Sequence, residues 1–184
     1  MHKIIPNIFT FISSFKKEDI LNLNKNIGII FRNYEDKVNI KEILKLRHFC
    51  RSNNRKLYIA NNIKLAINLS LDGVYIPAFS KNIIVKKFDT KKNFLTLGSA
   101  HNIREIKEKE KQGVEVIFLS PLFKTKDYKN KLGVIKFNIL TRLTKKKVIA
   151  LGGINKKNIN ILKITNAYGY SGISLFSKSF KNEK

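Results

Sequence analysis

The sequence predicts an α/β fold of eight βα units, closed as a compact TIM (β/α)8 barrel with a short or missing last helix. Three observations carry this reading. Apolar runs rich in isoleucine, valine and phenylalanine recur between polar segments of helical character, the pattern of repeated βα units on a parallel sheet. Runs such as Val148-Ile149-Ala150-Leu151 fill consecutive rather than alternate positions, as strands covered on both faces do. No linker or low-complexity segment divides the 184 residues, so residues 1–184 are read as a single domain. Eight units leave about 23 residues each, against about 31 in a barrel of roughly 250 residues. A doubly wound open sheet is the competing fold, which periodicity alone does not exclude.

The strands are expected at residues 7–13, 27–33, 56–62, 73–77, 94–100, 114–120, 147–153 and 170–176. Helices are expected at 17–24, 39–52, 63–70, 103–112, 133–146 and 154–166. In the second helix, Ile40, Ile43, Leu44 and Phe49 fall near one face by the helical period, with Lys41, Glu42 and Lys45 outside it. The connection 78–93 has weaker periodicity, and Ile83-Ile84-Val85 reads as a short helix or an extra strand. Only eight residues follow the eighth run, hence the short last helix.

Lysine and arginine outnumber aspartate and glutamate 37 to 13, giving a formal charge of +24 and a pI near 10.2. Such a balance ordinarily suggests nucleic acid or an anionic surface. Here lysine and asparagine are scattered through every segment together with abundant isoleucine, so nucleic acid is not the expected partner. The same field attracts phosphorylated metabolites, which fits the chain better. No apolar run reaches the length of a membrane span, and the start MHKIIPNIFTF is broken by Pro6 and Asn7 without a small-residue cleavage site. The expectation is a cytoplasmic protein. Cys50 is the single cysteine, which excludes an internal disulfide and a cysteine-rich zinc site, and its place near the end of a helix points to packing. A homo-oligomer is left open.

The stretch VIALGGINKKN, 148–158, carries the clearest chemistry. Gly152 and Gly153 permit torsions or close approaches that a β-carbon forbids, and Asn155 is suited to cap a helix starting at Lys156. Backbone amides gathered there would form a place for an anion. In a barrel, the ends of the last two strands are a frequent phosphate site.

Five segments then resemble, in order and spacing, the thiamine phosphate synthase/TenI-like family. LGSAHNIREI places Ser99, His101 and Glu105 as in the family's strand-five motif, and GVEVIFLSPLFKT retains Gly113, Pro121, Phe123 and Thr125. Leu132-Gly133 is similar to the pair opening the next helix, ALGGI at 150–154 to A-I-G-G-I, and SGISLFS at 171–177 to G-x-A-V-x-S. The resemblance implies a compact barrel that joins hydroxymethylpyrimidine diphosphate to thiazole phosphate: the carbon–oxygen bond to diphosphate breaks, the thiazole nitrogen captures the pyrimidine cation, and diphosphate leaves. It assigns thiazole-phosphate binding to Gly152, Gly153, Phe176 and Ser177, with Arg32, Ser99 and His101 as catalytic candidates and Thr125, Lys129 and Asn61 as substrate contacts. It also implies Mg2+, which assists diphosphate departure, with Asn61 as the one candidate ligand.

The departures are concentrated at the diphosphate end. Arg32 is kept at strand two, yet Tyr34 stands where the family has lysine. Ala60-Asn61 replaces asparagine-aspartate, and a neutral amide oxygen holds a hard dication less well than a carboxylate. GVYIPAFS puts Tyr75 in place of histidine and has no aspartate nearby. In the sixth loop, Lys126-Asp127-Tyr128 leaves Lys129 one place late. Thiazole tautomerisation, the family's second activity, uses a histidine where this chain has Pro121, and proline shuttles no proton. The phosphate half is therefore expected to be retained and the metal half eroded. Alternatives are a paralogue that binds a phosphorylated thiazole or related metabolite without turnover, and, further off, a basic nucleic-acid-binding protein.

Overall fold

A computed structural model of the chain describes residues 3–33, 39–125 and 130–172. Eight parallel strands pair in chain order and the eighth pairs with the first, so the sheet closes. The strands are β1 (Ile8–Ile12), β2 (Gly28–Phe31), β3 (Leu57–Ala60), β4 (Gly73–Ile76), β5 (Leu95–Ala100), β6 (Val116–Leu119), β7 (Lys147–Leu151) and β8 (Gly169–Ser171). Closure excludes the doubly wound alternative. It also brings the C-terminal ends of all strands to one rim, so the ends of β2 and β3 share that rim with the double glycine after β7.

Five α-helices cross between strands: α1 (Lys17–Leu21), α2 (Ile40–Ser52), α3 (Ile63–Asn68), α4 (Ile103–Gln112) and α5 (Gly133–Arg142). The crossovers after β4 and β7 use 3-10 turns instead, Val85–Lys87 and Ile159–Ile164. The helix expected at 154–166 is therefore corrected. Asn155 Oδ1 does accept from the Lys157 and Asn158 amides, at 2.9 and 3.2 Å, but Asn158 Oδ1 accepts from the Asn155 amide, and these local bonds compete with an α-helical ladder. The eighth strand is described only as far as Ser171. Residues 172–176 of the expected strand and the expected short last helix lie at or beyond the edge of the described chain.

Alternation along the strands divides the core in two. Phe9, Phe11, Ile30, Tyr58, Tyr75, Leu95, Leu97, Val116, Phe118 and Ile149 point inward and fill the lumen. Five of these are aromatic, and Phe118 meets Phe9, Phe11 and Tyr75 at ring-centroid separations of 5.0, 6.1 and 5.4 Å. Room for such rings comes from Gly28, whose β-carbon would stand 2.6 Å from Phe9 Cδ1. The outward faces, including Ile29, Ile59, Val74, Ile117 and Val148, pack against helices. On α2 the buried side is Ile43, Leu46, Phe49 and Cys50, while Ile40 and Leu44 are exposed. The expected face was thus rotated toward the solvent by about one position.

Candidate active site

The rim at the C-terminal ends of the strands holds a floor, a basic flank and a glycine turn. The floor is the top of the aromatic lumen. Tyr75 is buried between Phe11 and Phe118, its hydroxyl hydrogen-bonds Ser99, and burial pushes its phenol up to about 12, against smaller opposing effects of Ser99 and Arg32. The phenol therefore stays protonated at neutral pH. Arg32, just beyond β2, lays its guanidinium over the Phe11 ring at 4.7 Å from the centroid. Arg32 and Ser99 thus converge on one aromatic surface, with Tyr75 between them.

His101 turns to a different neighbour. Its Nδ1 lies 2.9 Å from the Ser120 carbonyl oxygen and 3.2 Å from Ser120 Oγ. Its backbone amide donates to Glu105 Oε2 at 2.8 Å. Asn102 caps α4 by accepting from the Glu105 amide, and Asn102 Nδ2 donates to Glu105 Oε1, so Glu105 serves the helix start and the histidine's backbone together. His101 accordingly ties the β5 exit to the β6 exit.

The glycine turn is ordered by its neighbours' backbone. In the segment after β6, the Pro121 and Leu122 carbonyls accept from the Leu132 and Gly133 amides at 2.9 and 3.1 Å. The Leu122 and Phe123 amides donate in turn to the Leu151 and Gly152 carbonyls, at 2.8 and 3.0 Å. Residues 121–123 therefore bridge the start of α5 to the end of β7. A trans peptide points its N–H opposite its C=O, so the Gly152 and Gly153 amides are turned away from β6, toward the side of β7 where β8 ends. Among the described residues neither amide donates to a protein acceptor. Both glycines have positive φ, +95° and +69°. Added β-carbons would stand 2.7 Å from Pro121 Cα and 2.5 Å from the Lys124 carbonyl oxygen, so the 121–124 bridge can approach only because neither residue has a side chain. The Gly153 carbonyl is held by Asn158 Nδ2 at 2.8 Å, which fixes the next peptide as well.

Of the remaining candidates, Asn61 ends β3 exposed, with φ of 58° and its amide donating to the Tyr75 carbonyl at 2.8 Å. Thr125 is half-buried in the β6 exit loop. Lys129, Phe176 and Ser177 lie outside the described residues, as do Tyr34, Glu35, Asp36 and Asp127. The described residues do not fit a magnesium site. The β3 and β4 exits present Ala60, Asn61 and Pro77 without a carboxylate, and no group of three His, Cys, Asp or Glu gathers among the described residues.

Two features were missed by sequence reasoning. One is the 121–123 bridge, a backbone arrangement that side-chain patterns do not announce. The other is Lys109, fully buried on α4 with its ammonium at the exit of β4. Its spacing of three from the buried Ile106 was the available signal.

A closed parallel barrel with two glycine amides unengaged among the described residues at the end of β7 and a guanidinium at the end of β2 belongs to the class of barrels whose candidate site lies at the C-terminal rim. Comparison narrows the class. A profile of the thiamine monophosphate synthase family matches residues 23–177, and the chain belongs to that family. A candidate thiamine-phosphate synthase of Aquifex aeolicus is 32% identical over 143 residues, 74% of this chain and 76% of the relative. The thiamine-phosphate synthase of Prochlorococcus marinus strain MED4 is 30% identical over 156 residues, 83% of this chain but 43% of the relative, so the chain spans less than half of that longer protein. A thiamine phosphate pyrophosphorylase structure from Pyrococcus furiosus shares the fold, with a TM-score of 0.74 over 94% of this chain and 89% of that one at 20% identity. The chain is thus a synthase-like member of thiamine biosynthesis. No helix among the described residues is long and apolar enough to cross a membrane.

Proposed function

We propose that this chain is a divergent thiamine-phosphate-synthase-like transferase that joins hydroxymethylpyrimidine diphosphate to thiazole phosphate and releases diphosphate. The observation that carries the reading is the pair of amides at Gly152 and Gly153, turned toward the end of β8 and not engaged among the described residues. Two amide donors fixed in this way suit a phosphoryl group, because their dipoles need no rearrangement to receive it. Phe176 and Ser177 complete that site in this proposal. Arg32 and Ser99 serve the pyrimidine side, where a guanidinium pairs with phosphate oxygens in two directions at once. Thr125, Lys129 and Asn61 line the substrate between them, and His101 holds the β5 exit in register with the β6 exit.

In the reaction, the protein's task is to hold two anionic substrates so that the thiazole nitrogen faces the methylene carbon that diphosphate leaves. A lumen sealed by Phe11, Tyr75 and Phe118 keeps water from one face of the developing cation, and the protonated Tyr75 presents no competing nucleophile. Magnesium would neutralise departing diphosphate, yet only the Asn61 oxygen is offered among the described residues, so no step is assigned to it. Incubating the protein with both precursors should yield thiamine phosphate and diphosphate in equal amounts. Saturable binding of thiazole phosphate without product under any metal condition would replace this reading with that of a non-catalytic paralogue.

A further inference from the structure

The exit of β4 holds a buried cation where a metal site would need anions. Lys109 is 0% exposed. Its Nζ donates to the Pro77 carbonyl at 2.7 Å, the Ser80 carbonyl at 2.9 Å and Gln112 Oε1 at 2.8 Å, which uses all three ammonium donors. Gln112 Nε2 donates to the Ser80 and Lys81 carbonyls at 2.9 and 2.8 Å, so the two side chains clamp residues 77–81 to α4. The lysine stem crosses the bare surface of Gly98, where a β-carbon would stand 3.1 Å from Lys109 Cδ. A buried ammonium ordinarily takes a carboxylate partner. All three acceptors here are neutral, and the carboxylates that act on the ammonium, Glu108 and Glu105, do so from its own helix without bonding it. Across β3 stands Arg32, whose charge reaches Tyr75. Two protein cations therefore flank the β3 exit, where Asn61 replaces a carboxylate.

Resting on the synthase-like reading, we propose that this rim receives the diphosphate group of its ligand with protein cations, Arg32 in contact and Lys109 as a buried charge that positions residues 77–81, without a divalent metal ion. Lys109 is a positioning residue: it is enclosed and touches no ligand. Its charge is present at neutral pH. Burial lowers the ammonium to about 8, against the opposing influence of Glu108 and Glu105 on its own helix. On the packed crossover, Lys81 offers its carbonyl to Gln112 Nε2 and the Lys86 stem lies 3.9 Å from where a β-carbon on Gly113 would stand.

The test is calorimetric titration of inorganic pyrophosphate into the whole protein, with a chelator or with excess magnesium, at about pH 7 and about pH 9. Saturable binding with chelator present, no tighter with magnesium, is expected. Affinity should fall severalfold at the higher pH although the ligand gains negative charge. Lys109→Met, which keeps the apolar stem, should bind about threefold to tenfold more weakly at neutral pH and lose the pH dependence. Arg32→Ala should lose about tenfold or more, partly restored by Arg32→Lys. If Lys109→Met does not fold, the wild-type pH and metal profiles decide the matter. Binding that requires magnesium, or no binding at all, overturns the proposal, and the first result would direct attention to Glu35, Asp36 and Asp127. Metal-free pyrophosphate binding without thiamine phosphate formation would leave this inference standing and remove the synthase reading.

Discussion

Gly153→Asp would place a carboxylate among the amides that are proposed to hold phosphate, and the same side chain would collide with the Lys124 carbonyl at a φ of +69°. The substitution therefore should lose both ligand and stability. Asn158→Ala is the cleaner probe. It removes the shorter of the two hydrogen bonds to the Gly153 carbonyl, leaving that from Asn155 Nδ2 at 3.4 Å, without adding atoms, and thiazole-phosphate affinity should fall about fivefold to tenfold in calorimetry while the melting curve shifts little. The double glycine itself was legible, because an apolar strand ending on two glycines demands special torsions. Its cause was not, since the partners at 121–123 are backbone atoms distant in sequence. Cys50 followed its expected course: it is buried, and burial pushes its thiol up to about 12. It should resist a thiol reagent in the folded protein and react at once on denaturation; rapid reaction under native conditions would contradict its placement. Lys109 links pH to stability with a definite sign. Its folded value of about 8 lies below the ordinary 10.5, so between these values the unfolded chain binds more protons and Lys109 contributes rising stability with pH. Lys109→Met should lack that contribution, seen as a wild-type minus variant difference that grows through the window in denaturant titrations.

At the scale of elements, asparagine caps recur at the helix starts on the rim side. Asn39, Asn62 and Asn102 each accept from the amide three residues on, at Glu42, Leu65 and Glu105. These starts were legible as changes from strand to helical periodicity. The crossover at 154–166 was misread because its apolar spacing suits an α-helix, while Asn155 and Asn158 satisfy the backbone locally and divert it into a 3-10 turn. Asn102 is the cap nearest the candidate site, and Glu105 beside it holds the His101 amide. Asn102→Ala should cost about 1 kcal/mol by chemical denaturation. It should also loosen the His101 contact to Ser120, visible as faster exchange of the His101 amide hydrogen; an unchanged rate would separate the cap from the site.

For the molecule as a whole, closure with about 23 residues per unit depends on short crossovers, two of them 3-10, and on aromatic rings filling the lumen. The strand count and order were readable from apolar runs. Lumen and outer faces were not separable there, because both faces of a parallel strand are apolar. The charge of +24 comes from basic residues spread along the whole chain, with three ion pairs among the described residues, so like-charge repulsion opposes the compact state. Raising ionic strength from about 0.01 to about 0.15 M should increase the melting temperature by screening that repulsion, and a flat response would show the charge to be locally balanced. On this strongly basic surface, general attraction of anions must be told apart from a built phosphate site. The most direct test is amide NMR of the isotopically labelled protein during titration with thiazole phosphate. The account predicts saturable proton and nitrogen shifts at Gly152 and Gly153 that track calorimetric occupancy; saturation of the ligand with those two resonances unmoved would contradict it.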